Sequence, residues 1–186
     1  MTEASDKLFL FGPGYVAKAL AGLWRGEIIG TYRSEDSRER IEALGLSAVS
    51  VEDFIGLKVF MDHAHVVVSA APTDVGCPGL AAIEPYVMTA KSVTYLSTTG
   101  VYGDLGGGWA FEWTPVAPGS ARAKRRVAAE DGWLSVRSDV RIVRLPGIYG
   151  PGRSPFDRVR DGRARQIIKP GQVFSRAYRD DIAHGL

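Results

Sequence analysis

Cysteine is nearly absent. One residue, Cys77, stands in a chain of 186, so no internal disulfide can form and no neighbouring thiol can complete a metal site. Its setting, DVGCPG, reads as that of an inert thiol. Long apolar runs are missing as well: nothing approaches the roughly 18 residues needed to cross a bilayer, which excludes a membrane partner of that kind. The opening MTEASDKLFLF has neither the basic end nor the long apolar stretch of a secretory signal, and a cytoplasmic location is expected. An excess of one charge is lacking too. With 23 basic against 21 acidic residues the net charge is +2, too balanced to imply a nucleic-acid partner, and no recognition motif accompanies it. Histidine is scarce, and His63 and His65 in DHAH, which could face one side of a strand, have no third ligand nearby, so no metal is expected. Internal repeats and low-complexity tracts are absent.

What is present is enough apolar side chain, 45%, to bury a real core. Short apolar runs alternate with helical patterns, which points to an α/β fold with a doubly wound parallel sheet covered on both sides. Leu8–Phe11, Glu27–Tyr32, Leu46–Val51, His65–Ser69, Ser92–Ser97 and Val140–Leu145 read as strands. Tyr15–Trp24, Glu35–Leu44 and Ala121–Val136 read as helices, and Gly79–Lys91 as a helix interrupted by Pro85. After Leu145 the pattern loosens. Asp157–Asp161 reads as a helical turn, Gln166–Lys169 and Val173–Ala177 as short strands, and Arg179 onward as the start of a helix. Trp24, Trp109, Trp113 and Trp133 are expected as packing anchors. Asp53, with Glu52, reads either as a neighbour of an adenine or as an exposed helix start.

LFLFGPGYVA, Leu8–Ala17, carries the first chemistry: an apolar strand, then Gly12, Gly14 and Ala17 at GxGxxA spacing, then an amphipathic helix. Gly12 allows a tight turn, Gly14 lets backbone N–H groups approach a pyrophosphate at the helix N-terminus, and Ala17 permits close helix-to-strand packing. Pro13 stiffens the loop. Dinucleotide binders that use NAD carry an acidic residue about 20 positions on, for the ribose hydroxyls. Here, in IIGTYRS, Arg33 stands 19 residues after Gly14, with Ser34 beside it and no carboxylate from Ile28 until Glu35. A guanidinium there would pair with a 2′-phosphate, so NADP is the expected cofactor and NAD the alternative.

Further stretches resemble the extended short-chain dehydrogenase/reductase family, the NAD-dependent epimerase/dehydratase group. TYLSTTGVYGD (Thr94–Asp104) is similar to that family's fifth strand and its VYG turn, EWTPVAP (Glu112–Pro118) to the segment before its catalytic helix, RLPGIYGPGR (Arg144–Arg153) to its sixth strand and YGPG turn, and SRAYRDDIA (Ser175–Ala183) to its RxYVDDxA segment. The resemblance implies a Rossmann-type domain over residues 1–150 and, over 151–186, the start of a truncated substrate-binding lobe. It implies a small-molecule substrate, and a homodimer formed through the catalytic helix. The cofactor-binding set becomes Gly12, Pro13, Gly14, Tyr15, Val16, Ala17, Arg33, Ser34, Ala70, Ala71 and Pro146.

One departure stands out. The family's helix carries Tyr-x-x-x-Lys, and counting back from Glu130 puts Arg126 in the Lys place and Arg122 in the Tyr place. They share one helical face. A guanidinium, with a pKa above about 12, can neither donate nor accept a proton near neutrality. The alternative register, Ser120-x-x-x-Lys124, restores a lysine but makes the donor an alcohol. Thr98 matches the family's Ser, and Tyr102 and Tyr149 are either replacement acids or wall residues. The expected catalytic set is therefore Thr98, Tyr102, Arg122 and Arg126. The chain is similar to an atypical branch, the YeeZ-like proteins, which also lack the Tyr and carry arginines on this helix. The cluster Arg122, Lys124, Arg125, Arg126 and the later one, Arg153, Arg158, Arg160, Arg163, Arg165 and Lys169, read as a solvated face or an anion-binding surface. An oxidoreductase or epimerase with altered catalysis is expected, acting on a substrate that could be anionic; a non-enzymatic NADPH sensor is the alternative.

Overall fold

In the first strand Phe9 and Phe11 join the apolar cluster on one side of the sheet, Leu8 and Leu10 the cluster on the other, and all four are buried. A strand apolar on both faces belongs in the middle of a parallel sheet. The structure, a computed structural model that describes residues 6–165, 168, 170, 171 and 173–186, places it there. β1 (Lys7–Phe11) pairs with β2 (Ile28–Tyr32) on one side; β3 (Ser47–Ser50) lies beyond β2. On its other side lie β4 (Ala64–Val68), β5 (Ser92–Thr98) and β6 (Arg141–Leu145), giving the order β3-β2-β1-β4-β5-β6 with every pairing parallel. In this doubly wound order the winding reverses between β1 and β4, and a crevice opens at the carboxyl ends of those two strands. The six expected strands match these to within one residue at either end.

The helices follow from their caps and breaks. α1 (Tyr15–Leu23) starts at Gly14; α2 (Glu35–Glu42) starts in a capping box where the Ser34 N–H donates to Ser37 Oγ at 3.1 Å. α3 (Phe54–Met61) is capped by Asp53, whose carboxylate accepts from Gly56 N at 2.9 Å. α4 (Pro78–Ile83) gives way to a 3₁₀ turn, Glu84–Thr89, with Pro85 at the junction as its missing N–H requires. α5 (Ala121–Val136) runs over the expected residues, its first turn held by Ser120 Oγ accepting from Ala123 N at 3.2 Å. β7 (Gly147–Tyr149), α6 (Pro155–Arg160), β8 (Arg176–Tyr178) and α7 (Arg179–Gly185) complete the chain, with β7 and β8 paired in a small parallel sheet of their own.

Leu57 and Met61 of α3, Ile83 of α4 and Trp133 of α5 bury against Phe9, Phe11 and Tyr95 on one face of the main sheet. Val16 and Leu20 of α1 and Ala183 of α7 bury against Leu8, Leu10 and Leu96 on the other. Among the described residues no helix is long and apolar enough to cross a membrane.

Several expectations need correction. Trp109 and Trp113 are no anchors: they are 86% and 78% exposed, because the glycine-rich stretch that carries them forms neither helix nor strand and lies outside both cores. Trp133 is the fully buried one, and Trp24 is half-buried with its edge on His65. His63 precedes β4 with a positive φ of 56°, so it does not share a strand face with His65. The strand expected at Val173–Ala177 is shifted to Arg176–Tyr178. The one expected at Gln166–Lys169 lies, apart from Ile168, outside the described residues, as does the charge of Lys169.

Candidate functional site

The glycine turn sits at the mouth of the crevice. Gly12 has φ +68°, a conformation that side-chain-bearing residues rarely adopt, and a Cβ there would meet Ala70 Cβ at 3.0 Å. Its N–H donates to Thr31 Oγ1 at 2.9 Å. Just past the end of β4, Ser69 N donates to Phe11 O at 3.1 Å and the Ser69 hydroxyl donates to the Gly12 carbonyl. Both strands at the switch point thus fix the turn. Gly14 then opens α1 with no side-chain cap and no acidic residue in its first turn, so the amides at this helix end face the crevice with their partial positive charge uncompensated.

A groove of about 670 Å³ runs from this turn over the end of β2. Gly12, Pro13, Gly14, Tyr15, Arg33, Ser34, Ala70 and Ala71 of the expected cofactor set line it. Ile41, Leu44 and Val51 give it an apolar wall; Lys18 and Arg40, not picked out in the sequence, add positive charge, and among the described residues no carboxylate lines it. Among the described residues neither Arg33 nor Arg40 forms an ion pair. Of the rest of that set, Val16 and Pro146 line a neighbouring cavity instead, and Ala17 lines neither, being buried at 1% exposure between α1 and the sheet. Asp53 caps α3 and lies outside the groove, as does Glu52.

The neighbouring cavity, about 510 Å³, shares Gly14 and Tyr15 with the groove and extends past the end of β5. It brings together Thr98, Arg122 and Arg126 of the expected catalytic set, with Ser97, Ser120 and Arg153. Thr98 Oγ1 accepts from Gly100 N at 3.2 Å, which leaves its own proton to be donated elsewhere. Arg126 is buried, its Nη1 donating to Tyr95 Oη at 2.9 Å and to the Leu96 carbonyl at 2.8 Å. Burial pushes the Tyr95 phenol up to about 12, the Arg126 charge opposing only part of that rise. Tyr95 is therefore a neutral partner at every ordinary pH.

Tyr102 does not line the cavity. It is buried, and its hydroxyl accepts from Arg144 Nη1 at 3.0 Å. Tyr149 is also outside, half-exposed and tilted against Tyr178. Lys124 is exposed and faces neither cavity. Behind the cavity wall lies a buried network: Arg144 Nη2 donates to Glu130 Oε2 at 2.8 Å, and the Ser97 hydroxyl donates to the same carboxylate. The Glu130 hydrogen bond holds the Arg144 guanidinium above its ordinary pKa, with burial opposing it. In the sequence Glu130 served only to set the helix register, and nothing local announces that Arg144, on β6, faces it across the α5–sheet interface.

With this geometry in place, comparison with solved structures is decisive for the fold. The chain shares the fold of the NAD-dependent epimerases and dehydratases. It is similar to a functionally unknown conserved protein from Silicibacter pomeroyi DSS at 43% identity and TM-score 0.83, covering 96% of this chain and 66% of that one. It is similar to a candidate NAD-dependent epimerase/dehydratase from Methylobacillus flagellatus at 25% identity and TM-score 0.68, covering 97% and 68%. A dTDP-glucose 4,6-dehydratase from Bacillus anthracis str. Ames, in complex with NAD, matches at 18% identity and TM-score 0.76, covering 96% and 69%. The chain thus spans about two thirds of the length of these proteins. No protein-family model and no curated protein sequence matches it.

Proposed function

We propose that the chain is an NADP-binding protein of the extended short-chain dehydrogenase/reductase group, an oxidoreductase or epimerase with altered proton chemistry. One observation carries the reading: a glycine turn and an uncapped helix mouth open onto a carboxylate-free groove whose far end holds Arg33 and Arg40. The residues fit such a nucleotide. Gly12 and Gly14 leave room for phosphates against backbone amides, Ile41 and Val51 offer an apolar wall to an adenine, and the two guanidiniums suit a 2′-phosphate. The likeness to structures that bind NAD supports the cofactor class. Residues 1–150 would carry this site, and residues 151–186 would begin a substrate lobe.

When bound, the nicotinamide would supply or accept a hydride. The Thr98 hydroxyl would hydrogen-bond a substrate carbonyl, and the Arg122 and Arg126 guanidiniums would favour negative charge developing nearby. They would not deliver a proton. A second reading, a non-catalytic NADPH sensor, is favoured by the chemistry of the cavity lining, which among the described residues offers hydroxyls and guanidiniums but no carboxyl, imidazole, thiol or amine.

Titration of the purified chain with NADPH and NADH tests the reading. NADPH is expected to bind more tightly, and Arg33→Ala with Arg40→Ala is expected to remove that preference, each charge-assisted contact being worth about 1.5–3 kcal/mol. Equal affinity for both nucleotides in the unaltered chain would refute the NADP assignment; failure to bind either would refute the whole reading. Consumption of NADPH with a panel of carbonyl compounds, reduced in Thr98→Val, would separate the enzyme from the sensor.

A further inference from the structure

Many arginines here lean on carboxylates: Arg38 on Glu42, Arg125 on Asp74, Arg137 on Asp139, Arg144 on Glu130, Arg179 on Asp180. Among the described residues Arg122, Arg126 and Arg153 have no such partner, and all three line the cavity beside β5, in whose described lining there is no carboxylate. Arg126 is the telling one. Only 8% exposed, it holds a charge it cannot shed, and its hydrogen bonds among the described residues run only from Nη1 to two neutral oxygens. The Tyr95 ring beneath its guanidinium at 5.6 Å and Glu130 one turn on, itself engaged by Arg144, compensate it only in part; a buried cation with no carboxylate paired to it is costly, and an anion in the cavity would offset that cost. Nε and Nη2 remain as donors of the guanidinium fork, the geometry that grips carboxylates and phosphates.

The surroundings converge on the same ligand chemistry. Arg122 lies one helical turn before Arg126, on the same face of α5. Arg153 reaches the cavity from the turn after β7, its guanidinium over the Tyr15 ring at 5.4 Å from the centroid. Thr98, Thr99 and Ser120 place hydroxyls between them. The cofactor's pyrophosphate is the obvious rival occupant, since the cavity shares Gly14 and Tyr15 with the groove. Yet Arg126 is held on β5, two strands away from the β1 turn. At about 4.8 Å per strand that is roughly 10 Å, too far for a pyrophosphate seated on the glycine turn to neutralise it.

We propose that this cavity holds the anionic group, a carboxylate or a phosphate monoester, of a small-molecule substrate, with Arg126 as the buried anchor and Arg122 and Arg153 closing on it. As an assignment of substrate class it rests on the nucleotide reading of the adjoining groove; as an assignment of an anion site it does not. Calorimetric titration of the chain with inorganic phosphate and with succinate, each with and without saturating NADPH and at constant ionic strength, tests it.

At least one probe is expected to bind in both conditions, and Arg122→Ala, at an exposed position, is expected to weaken it about tenfold or more while leaving NADPH affinity unchanged. Arg126→Lys, which keeps the charge but loses the fork, should weaken it as well; its thermal melting curve distinguishes lost binding from lost folding, and Arg153→Ala provides a second exposed variant. Which probe binds separates phosphate from carboxylate. No binding of either probe would overturn the inference. So would a loss of NADPH affinity in Arg122→Ala with phosphate and succinate binding unaffected, which would give the arginines to the cofactor. Binding of a probe to a chain that does not bind NADPH would uphold the anion site and dismiss the nucleotide reading alone.

Discussion

Gly12 answers to two constraints at once, a left-handed backbone at φ +68° and an Ala70 Cβ only 3.0 Å from where its own Cβ would be. Gly12→Ala is therefore expected to cost about 1–2 kcal/mol from the backbone conformation, and more if Ala70 cannot retreat. It should also displace the amides that face the groove. Thermal melting and NADPH titration of the variant check both parts: a lower Tm with at least tenfold weaker binding is the expected pair of results. At this scale the sequence was informative wherever a residue's role is local. The spacing of Gly12, Gly14 and Arg33 is visible because the turn and the next strand end lie within one βαβ unit. Arg40 and Lys18 were not visible, and Arg153 was visible only as one of a basic cluster, because what brings them to a cavity is helix phase and a distant turn. For Tyr102 the sequence left two readings, a replacement acid or a wall residue, and could not choose between them, because its proximity to the reactive end says nothing of Arg144, which draws its hydroxyl into the wall.

Among the elements, α5 carries Arg122, Arg126 and Glu130 together. Its bounds were readable because Ser120 caps it and its apolar positions recur with helical period, whereas α3 was legible only at its start, as one of the two readings open for Asp53, because FIGLKVFM is apolar almost throughout and has no contrasting polar face. Phe54, Ile55 and Val59 of α3 are in fact exposed. What α5 does to the sheet could not be read along the chain. Glu130 is nearly inaccessible, 4% at its side chain, and neutralises Arg144, itself only 24% exposed. Glu130→Gln would leave that guanidinium without its counter-charge, and a loss of about 3 kcal/mol is expected, the lower end for a broken buried pair because Arg144 keeps some contact with water. Urea unfolding measures it. The double variant Glu130→Gln, Arg144→Met should recover much of the loss, since it removes the orphaned charge.

At the scale of the whole molecule, the two faces of the sheet are closed by different parts of the chain. α3, α4 and α5 close one; α1 and the terminal α7 close the other, with Ala183 at 3% exposure beside Leu8, Leu10 and Leu20. Ending the chain after Tyr178 would uncover that second face, so a lower Tm and increased binding of a hydrophobic dye are expected, and an unchanged melting curve would mean that α7 contributes nothing to closure. The alternation of strands and helices made the layered sheet legible in advance. The pairing of β7 with β8 was not, because it joins two three-residue strands across a long turn-rich excursion.

The uniformly parallel sheet has a kinetic corollary. No two neighbouring strands can be joined by a hairpin, and the central strand meets β4 only after an excursion long enough to separate Gly12 from Ser69 by 57 positions. Loop-closure entropy must be spent before that meeting yields any contact energy, which makes for a high relative contact order and sluggish refolding. The crevice between β1 and β4, lying at this seam, would be among the last features to mature as the chain collapses.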